Sequence, residues 1–261
     1  MPETARYGAM KNKYLSICAI VKNEALYIDE WIRFHYHQGV EHFFIYENES
    51  TDITWDILKF WEKQGIATIE KLPGSSQQKI AYEKCLKEHG HESQWVAFLD
   101  CDEFLYSPTG RSLPAILEDF EKYSAVAVNW VLYGSNGHKK YSSEPVITRF
   151  TKRARHADRH VKTILQPHRA VSTGNNAHYF LLKSPAVNEK QQYLPAEYYW
   201  TEPSIELLRI NHYHTKSLEE YMKRKSYIDV DGVNRGETMD RFMGHDVNDV
   251  EDLSALEAMK S

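Results

Sequence analysis

The chain has 261 residues, 42% of them apolar and 26% charged, with a net charge of −5; that suits a soluble globular fold with a sizeable core and gives no overall basic character to favour nucleic acid. Its three cysteines, Cys18, Cys85 and Cys101, show no CxxC spacing, which argues against a disulfide frame or a cysteine-rich zinc site. No apolar run approaches the roughly 20 residues of a membrane helix.

Residues 1–13 lack the basic start and apolar stretch of a signal peptide and are read as an N-terminal extension. From there the pattern alternates. Leu15–Val21 is a buried strand ending in the polar turn Lys22-Asn23-Glu24. Apolar residues at 28, 31, 32 and 36 follow helical spacing up to Gly39. A second strand, 43–47, leads to Glu47-Asn48-Glu49, and Ser50, Thr51 and Asp52 offer caps for a helix that stops at Gly65. A third strand, "IATIEK", and a third helix, "SQQKIAYEKCLKEHG", precede "QWVAFL", which delivers Asp100-Cys101-Asp102-Glu103. Further on, a helix near 112–122 is expected, then the strand "AVAVNWVLYG". Residues 149–169 carry seven Lys/Arg, and "LLRINHYHTKS" reads as a strand followed by a helix over 217–227. The tail from 229 is acidic.

This alternation predicts an α/β fold with a mostly parallel central sheet flanked by helices. Residues 14–261 are read as a single domain, with a nucleotide-binding half over 14–110 and an acceptor-binding half with C-terminal helices over 111–261. Ligands in such sheets lie beyond the carboxyl ends of the strands, where the three polar turns fall. Asp100 and Asp102 are expected to converge as the chain turns. Two converging carboxylates repel unless a cation lies between them, and hard oxygen ligands suit Mg²⁺ or Mn²⁺. Cys101, flanked by carboxylates, is read as an inward-packing spacer.

"SICAIVKNEALYIDEWIRFHYHQGVEHFFIYENESTD" and "WVAFLDCDEFLY", continued by "WVLYGSNG", "KTILQP", "HYF" and "NHYHTKSLEEYMKRK", resemble the glycosyltransferase family 92 or DUF23-like group, relatives of the family 2 glycosyltransferases. The resemblance covers roughly residues 14–250. It implies a GT-A (Rossmann-like) fold and sugar transfer from a nucleotide-sugar, usually a UDP-sugar, with inversion. It also implies a metal held by Asp100, Asp102 and His212, with Asp100 also reaching the ribose. Asn23, Glu24, Glu47, Asn48, Ser50 and Asp52 would border the nucleotide.

In that reaction Lys162 and the arginines of 149–169 are candidates to neutralise the leaving diphosphate. Asp158 is the residue chosen as general base, over Glu144 and Asp231. Trp130 is placed to stack on the acceptor sugar or to sit in the core. His178 and His214 are candidates for ligand or acceptor contacts, against a purely structural role; His178 is carried as an acceptor contact. The acceptor is expected to be a saccharide or glycolipid in cell-surface polysaccharide or lipopolysaccharide synthesis. The setting is expected to be cytoplasmic, with peripheral contact at the inner membrane face. The alternatives are a haloacid dehalogenase-type phosphohydrolase and a non-catalytic carbohydrate-binding protein.

Overall fold

The apolar run that opens the chain's alternating pattern becomes β1 (Lys13–Val21), the strand on which the rest is laid. The computed structural model describes residues 13–223 and 238–260. The N-terminal extension up to residue 12 and the end of the helix expected over 217–227 lie outside the described residues.

In order come α1 (Ile28–His37), β2 (His42–Glu47), α2 (Thr54–Lys63), β3 (Ala67–Lys71), α3 (Gln78–His89) and β4 (Ser93–Phe98). Then follow β5 (Glu103–Tyr106), α4 (Leu113–Leu117), β6 (Ala125–Leu132), α5 (Val146–Arg149), β7 (Lys152–Arg153) and β8 (Val161–Leu165). The remainder is β9 (Ala170–Thr173), β10 (Phe180–Leu182), β11 (Arg209–His212), α6 (Leu218–Lys223), α7 (Met239–His245), β12 (Val250–Glu251) and α8 (Ser254–Glu257). Eight strands form one sheet in the order β3-β2-β1-β4-β8-β6-β11-β5. Pairing is parallel from β3 through β4 and between β6 and β11, while β8 and β5 run antiparallel to their neighbours. This is the expected α/β class, a central sheet flanked by helices, and strands from both halves of the chain share that sheet.

Alternation along β1 builds two cores. Leu15, Ile17, Ala19 and Val21 face α1, α2 and α4, where Trp31, Ile32 and Leu58 pack. Cys18 and Ile20 face α3, with Tyr82, Cys85 and Phe98. The bend after α1 requires Gly39: its φ is +95°, and a Cβ there would lie 2.7 Å from Pro114 Cδ. Among the described residues no helix is long and apolar enough to cross a membrane.

Candidate active site

The first two strand-end turns are knitted to each other. Asn23 adopts φ +57°, a left-handed conformation that Asn tolerates. Its amide donates to Ser50 Oγ at 2.9 Å, and its Oδ1 accepts from Thr51 N at 2.7 Å. Glu24 N donates to Thr54 Oγ1, and Ala25 N to Asp52 Oδ2. Asn23, Glu24 and Asp52 thereby line a cavity of about 650 Å³. Glu47 and Asn48 do not line it. Glu47 accepts from Ser50 N, and Asn48 Nδ2 donates to Leu72 O and Gly74 O. Buried polar groups are held where their partners are, so these two pin the loop rather than face a ligand.

The acidic turn departs from expectation. Asp100 and Asp102 line the same cavity, but their carboxylates have different partners. Asp100 accepts from Lys162 Nζ at 2.8 Å and from Gln78 Nε2 at 2.6 Å. Lys162 is only 1% exposed and lies 3.5 Å from the buried Glu103. Burial pulls the Lys162 ammonium down, but Asp100 and Glu103 outweigh it and hold it well above the usual lysine value. Burial pushes the Glu103 carboxyl well up. Asp100 is thus the anionic partner of a buried cation, and Lys162 is spent on that pair rather than presented to a leaving group. Cys101 is buried, as expected, and burial raises its thiol.

Asp102 is joined instead by two imidazoles. β11 pairs with β5 so that His212 lies opposite Glu103, and Tyr213 N donates to Asp102 O at 2.9 Å. His212 Nε2 comes within 3.6 Å of Asp102 Oδ1. One ligand atom each from Asp102, His212 and His214 fall within 4.8 Å of one another. A carboxylate with two imidazoles is a donor set suited to Mn²⁺ and similar divalent cations. Among the described residues His212 Nδ1 is buried with no hydrogen-bond partner. The residues fit a cation, with His214 in the place expected of Asp100.

A second cation faces this cavity. Lys216 is 5% exposed, adopts φ +51°, and holds its Nζ 4.0 Å from the centre of the Tyr27 ring. Among the described residues no carboxylate lies within ion-pair range of it. Tyr27 is fixed in turn: its hydroxyl donates to Glu220 Oε1 at 2.7 Å. Arg149 holds Glu220 through two bonds of 2.9 and 3.0 Å. Burial acts to raise the Glu220 carboxyl, but Arg149, Ser217 and Tyr27 prevail and lower it to about 2.

Trp130 and His178 line the cavity. The Trp130 ring sits 4.3 Å from that of His212 and 5.2 Å, edge-on, from that of His178. His178 Nδ1 lies 3.0 Å from Val161 O, which can only accept, so the tautomer is fixed and Nε2 is the acceptor. Burial lowers His178 to about 4, and the ring is neutral. Asp158 does not line the cavity; its Oδ1 pairs with His160 Nδ1 at 2.7 Å. Glu144 also lies outside it, and Asp231 falls outside the described residues. His214, expected only as one candidate for ligand or acceptor contacts, lies with Asp102 and His212, and Lys216 was not among the expected site residues. The His-X-His spacing at a strand end was the available signal for the first, because residues two apart share a face.

The family model for Glycosyltransferase family 92 matches residues 13–251. A family 92 protein of Oryza sativa subsp. japonica is 27% identical over 188 residues, covering 70% of this chain and 32% of its own length. The galactan beta-1,4-galactosyltransferase GALS2 of Arabidopsis thaliana is 25% identical over 167 residues, covering 56% and 32%. The chain therefore spans about a third of the length of these curated relatives. The crystal structure of S. aureus TarS 1-349 in complex with UDP-GlcNAc aligns at a TM-score of 0.47 and 14% identity, covering 94% of this chain and 70% of that one.

Proposed function

The chain belongs to glycosyltransferase family 92, and from that premise we propose that it transfers a glycosyl residue from a nucleotide-sugar to a saccharide acceptor. The observation that carries this reading is the convergence of Asp102, His212 and His214 on the cavity at the sheet's carboxyl rim. A divalent cation held by these three would supply positive charge to a diphosphate leaving group. Lys216 adds a fixed cation beside it, poised without a competing carboxylate among the described residues, and so stabilises charge that develops as the sugar departs. Asn23, Asp52 and the Asp100 carboxylate, held in place by Lys162 and Gln78, provide the rim that would receive the nucleoside. Trp130 offers a ring face, and His178 Nε2 an acceptor atom, to the incoming saccharide.

The donor is proposed as a UDP-sugar, in keeping with the family resemblance. A galactosyl donor and a β-galactan-like acceptor are proposed by similarity to the galactan beta-1,4-galactosyltransferase GALS2. These relatives are plant proteins, which gives no support to the lipopolysaccharide setting expected from the sequence. The test is release of UDP from a panel of UDP-sugars with Mn²⁺, with and without neutral saccharide acceptors. Turnover is expected on at least one donor, falling by about 10²-fold or more in Asp102→Ala and His214→Ala. Unchanged turnover in both variants would overturn the metal assignment, and no turnover or UDP binding with any donor would overturn the reading itself.

A further inference from the structure

Outside the main cavity a second hollow of about 260 Å³ is bordered by Trp200, Tyr193, Gln192, Asn188, Arg159 and Glu202. Trp200 is 50% exposed and Tyr193 68%. Single exposed aromatics are ordinary on a surface, but these two share one depression and neither ring is loose. Tyr193 packs edge-on against Tyr123 at 5.7 Å, and its backbone bridges to Val187. Trp200 bridges to His160 through the backbone and packs edge-on against its ring at 4.5 Å. The segments on either side are tied as well. Asn188 Oδ1 accepts from Gln192 N, and Glu189 accepts from the amides of Glu206, Leu207 and Leu208.

A run of rings in contact links the hollow to the candidate active site. His160 stacks on Trp130 at 5.3 Å and 26°, and Trp130 lines the main cavity. Trp130, His160 and Trp200 therefore form one aromatic wall, with its inner end at the cavity and its outer end in the second hollow. The charge of the outer end is balanced: Arg159 is ion-paired to Glu202. Rigid ring faces favour flat apolar sugar surfaces, and planar amide and guanidinium groups hydrogen-bond hydroxyls. With Arg159 matched by Glu202 and the Asp158 carboxylate held on His160 behind the rings, the wall presents no free cation to an anionic chain and suits a neutral polymer rather than a phosphorylated or acidic one.

We infer that Trp200 and Tyr193 form a distal subsite for a neutral saccharide chain whose end reacts in the main cavity. This rests on the glycosyltransferase reading and adds to it a place, outside the main cavity, where the acceptor chain is held some residues away from its reacting end. The test uses neutral oligosaccharides of two to seven residues, from β-1,4-galactan, glucan, mannan and xylan, titrated into the wild-type chain, Trp200→Ala and Tyr193→Ala. In wild type, affinity for at least one series rises with chain length. Trp200→Ala weakens the longest member about tenfold and the disaccharide less than twofold. UDP with Mn²⁺ is titrated into the same proteins and binds all three equally. Intact UDP binding with glycan affinity indifferent to length or to Trp200 overturns the subsite and leaves the transferase reading standing. Loss of UDP binding in wild type overturns the transferase reading instead. A change in oligomeric state on Trp200→Ala, with no glycan effect, assigns the hollow to a protein contact and overturns the inference.

Discussion

At the scale of single residues, two lysines exchange the roles that the sequence suggests. Lys162 sits in a basic segment beside a family-like "KTI", yet it is buried against Asp100 and Glu103. Lys216 lies in the family-like "NHYHTKSLEEYMKRK" but was given no role, yet it faces the cavity over Tyr27 without an anionic partner among the described residues. Sequence gives residue type but not what lies opposite, so the two were indistinguishable until the strands were paired. Breaking a buried pair leaves an uncompensated charge. Lys162→Met is therefore expected to lower unfolding free energy by about 3–5 kcal/mol in denaturant titration. Lys216→Met is expected to lower kcat by about 10²-fold while its denaturation midpoint changes little. A destabilised Lys216→Met at full turnover would reverse the assignment.

At the scale of elements, α1 is fastened to the short strand β5 by a buried imidazole. His35 Nδ1 bonds Trp31 O at 2.9 Å, and Leu105 N donates to His35 Nε2 at 3.0 Å. Nε2 must therefore be unprotonated, and burial lowers His35 to about 3. An unfolded histidine takes a proton near pH 6.5. The contribution of His35 to stability is thus complete above pH 6.5, shrinks as the unfolded state binds a proton that the fold refuses, and levels off near pH 3. His42 and His178, each lowered to about 4 by burial, act in the same direction. Glu220 adds loss between about pH 4.5 and 2, because its carboxyl is lowered in the fold. Urea midpoints should hold level from pH 8 to about 6.5 and fall from there to pH 3, and His35→Gln should flatten the upper part of that fall. A flat profile in wild type would contradict the assignment.

β5 and β8 also show where elements escape the sequence. β5 is only four residues long, and β8 contains Lys162 within a run of basic and histidine residues. Neither carries the continuous apolar run into a polar turn that marked β1, β2 and β4. Their pairing is decided by tertiary contact: β8 fills the gap between β4 and β6, and β5 closes the sheet beside β11. The Arg149–Glu220 pair is likewise tertiary, joining α5 to α6 beneath Tyr27. Arg149→Met is expected to cost about 3–5 kcal/mol in denaturant titration and, by loosening Tyr27 under Lys216, to reduce kcat as well.

At the scale of the whole molecule, one sheet collects strand ends from both halves of the chain onto one rim. The first half supplies Asn23, Asp52, Asp100 and Asp102; the second supplies Trp130, His178, His212, His214 and Lys216. The first set was legible because apolar strands ending in polar turns announce themselves. The second was only partly so, because its residues lie around β11 and in loops with weak local pattern. Family resemblance supplied His212, while the fold set the candidate His214 beside it and gave Asp100 the buried Lys162 as its partner.

The central claim is that Asp102, His212 and His214 jointly hold a divalent cation that engages a nucleoside diphosphate. Calorimetric titration of UDP with Mn²⁺ into wild type, Asp102→Ala and His214→Ala tests it most directly, with circular dichroism to establish that all three are folded. Binding is expected in wild type, with affinity at least about 100-fold weaker in each variant, a loss of about 2.7 kcal/mol or more. Equal affinity in the three proteins, or UDP binding in wild type that is unchanged when Mn²⁺ is chelated, would contradict it.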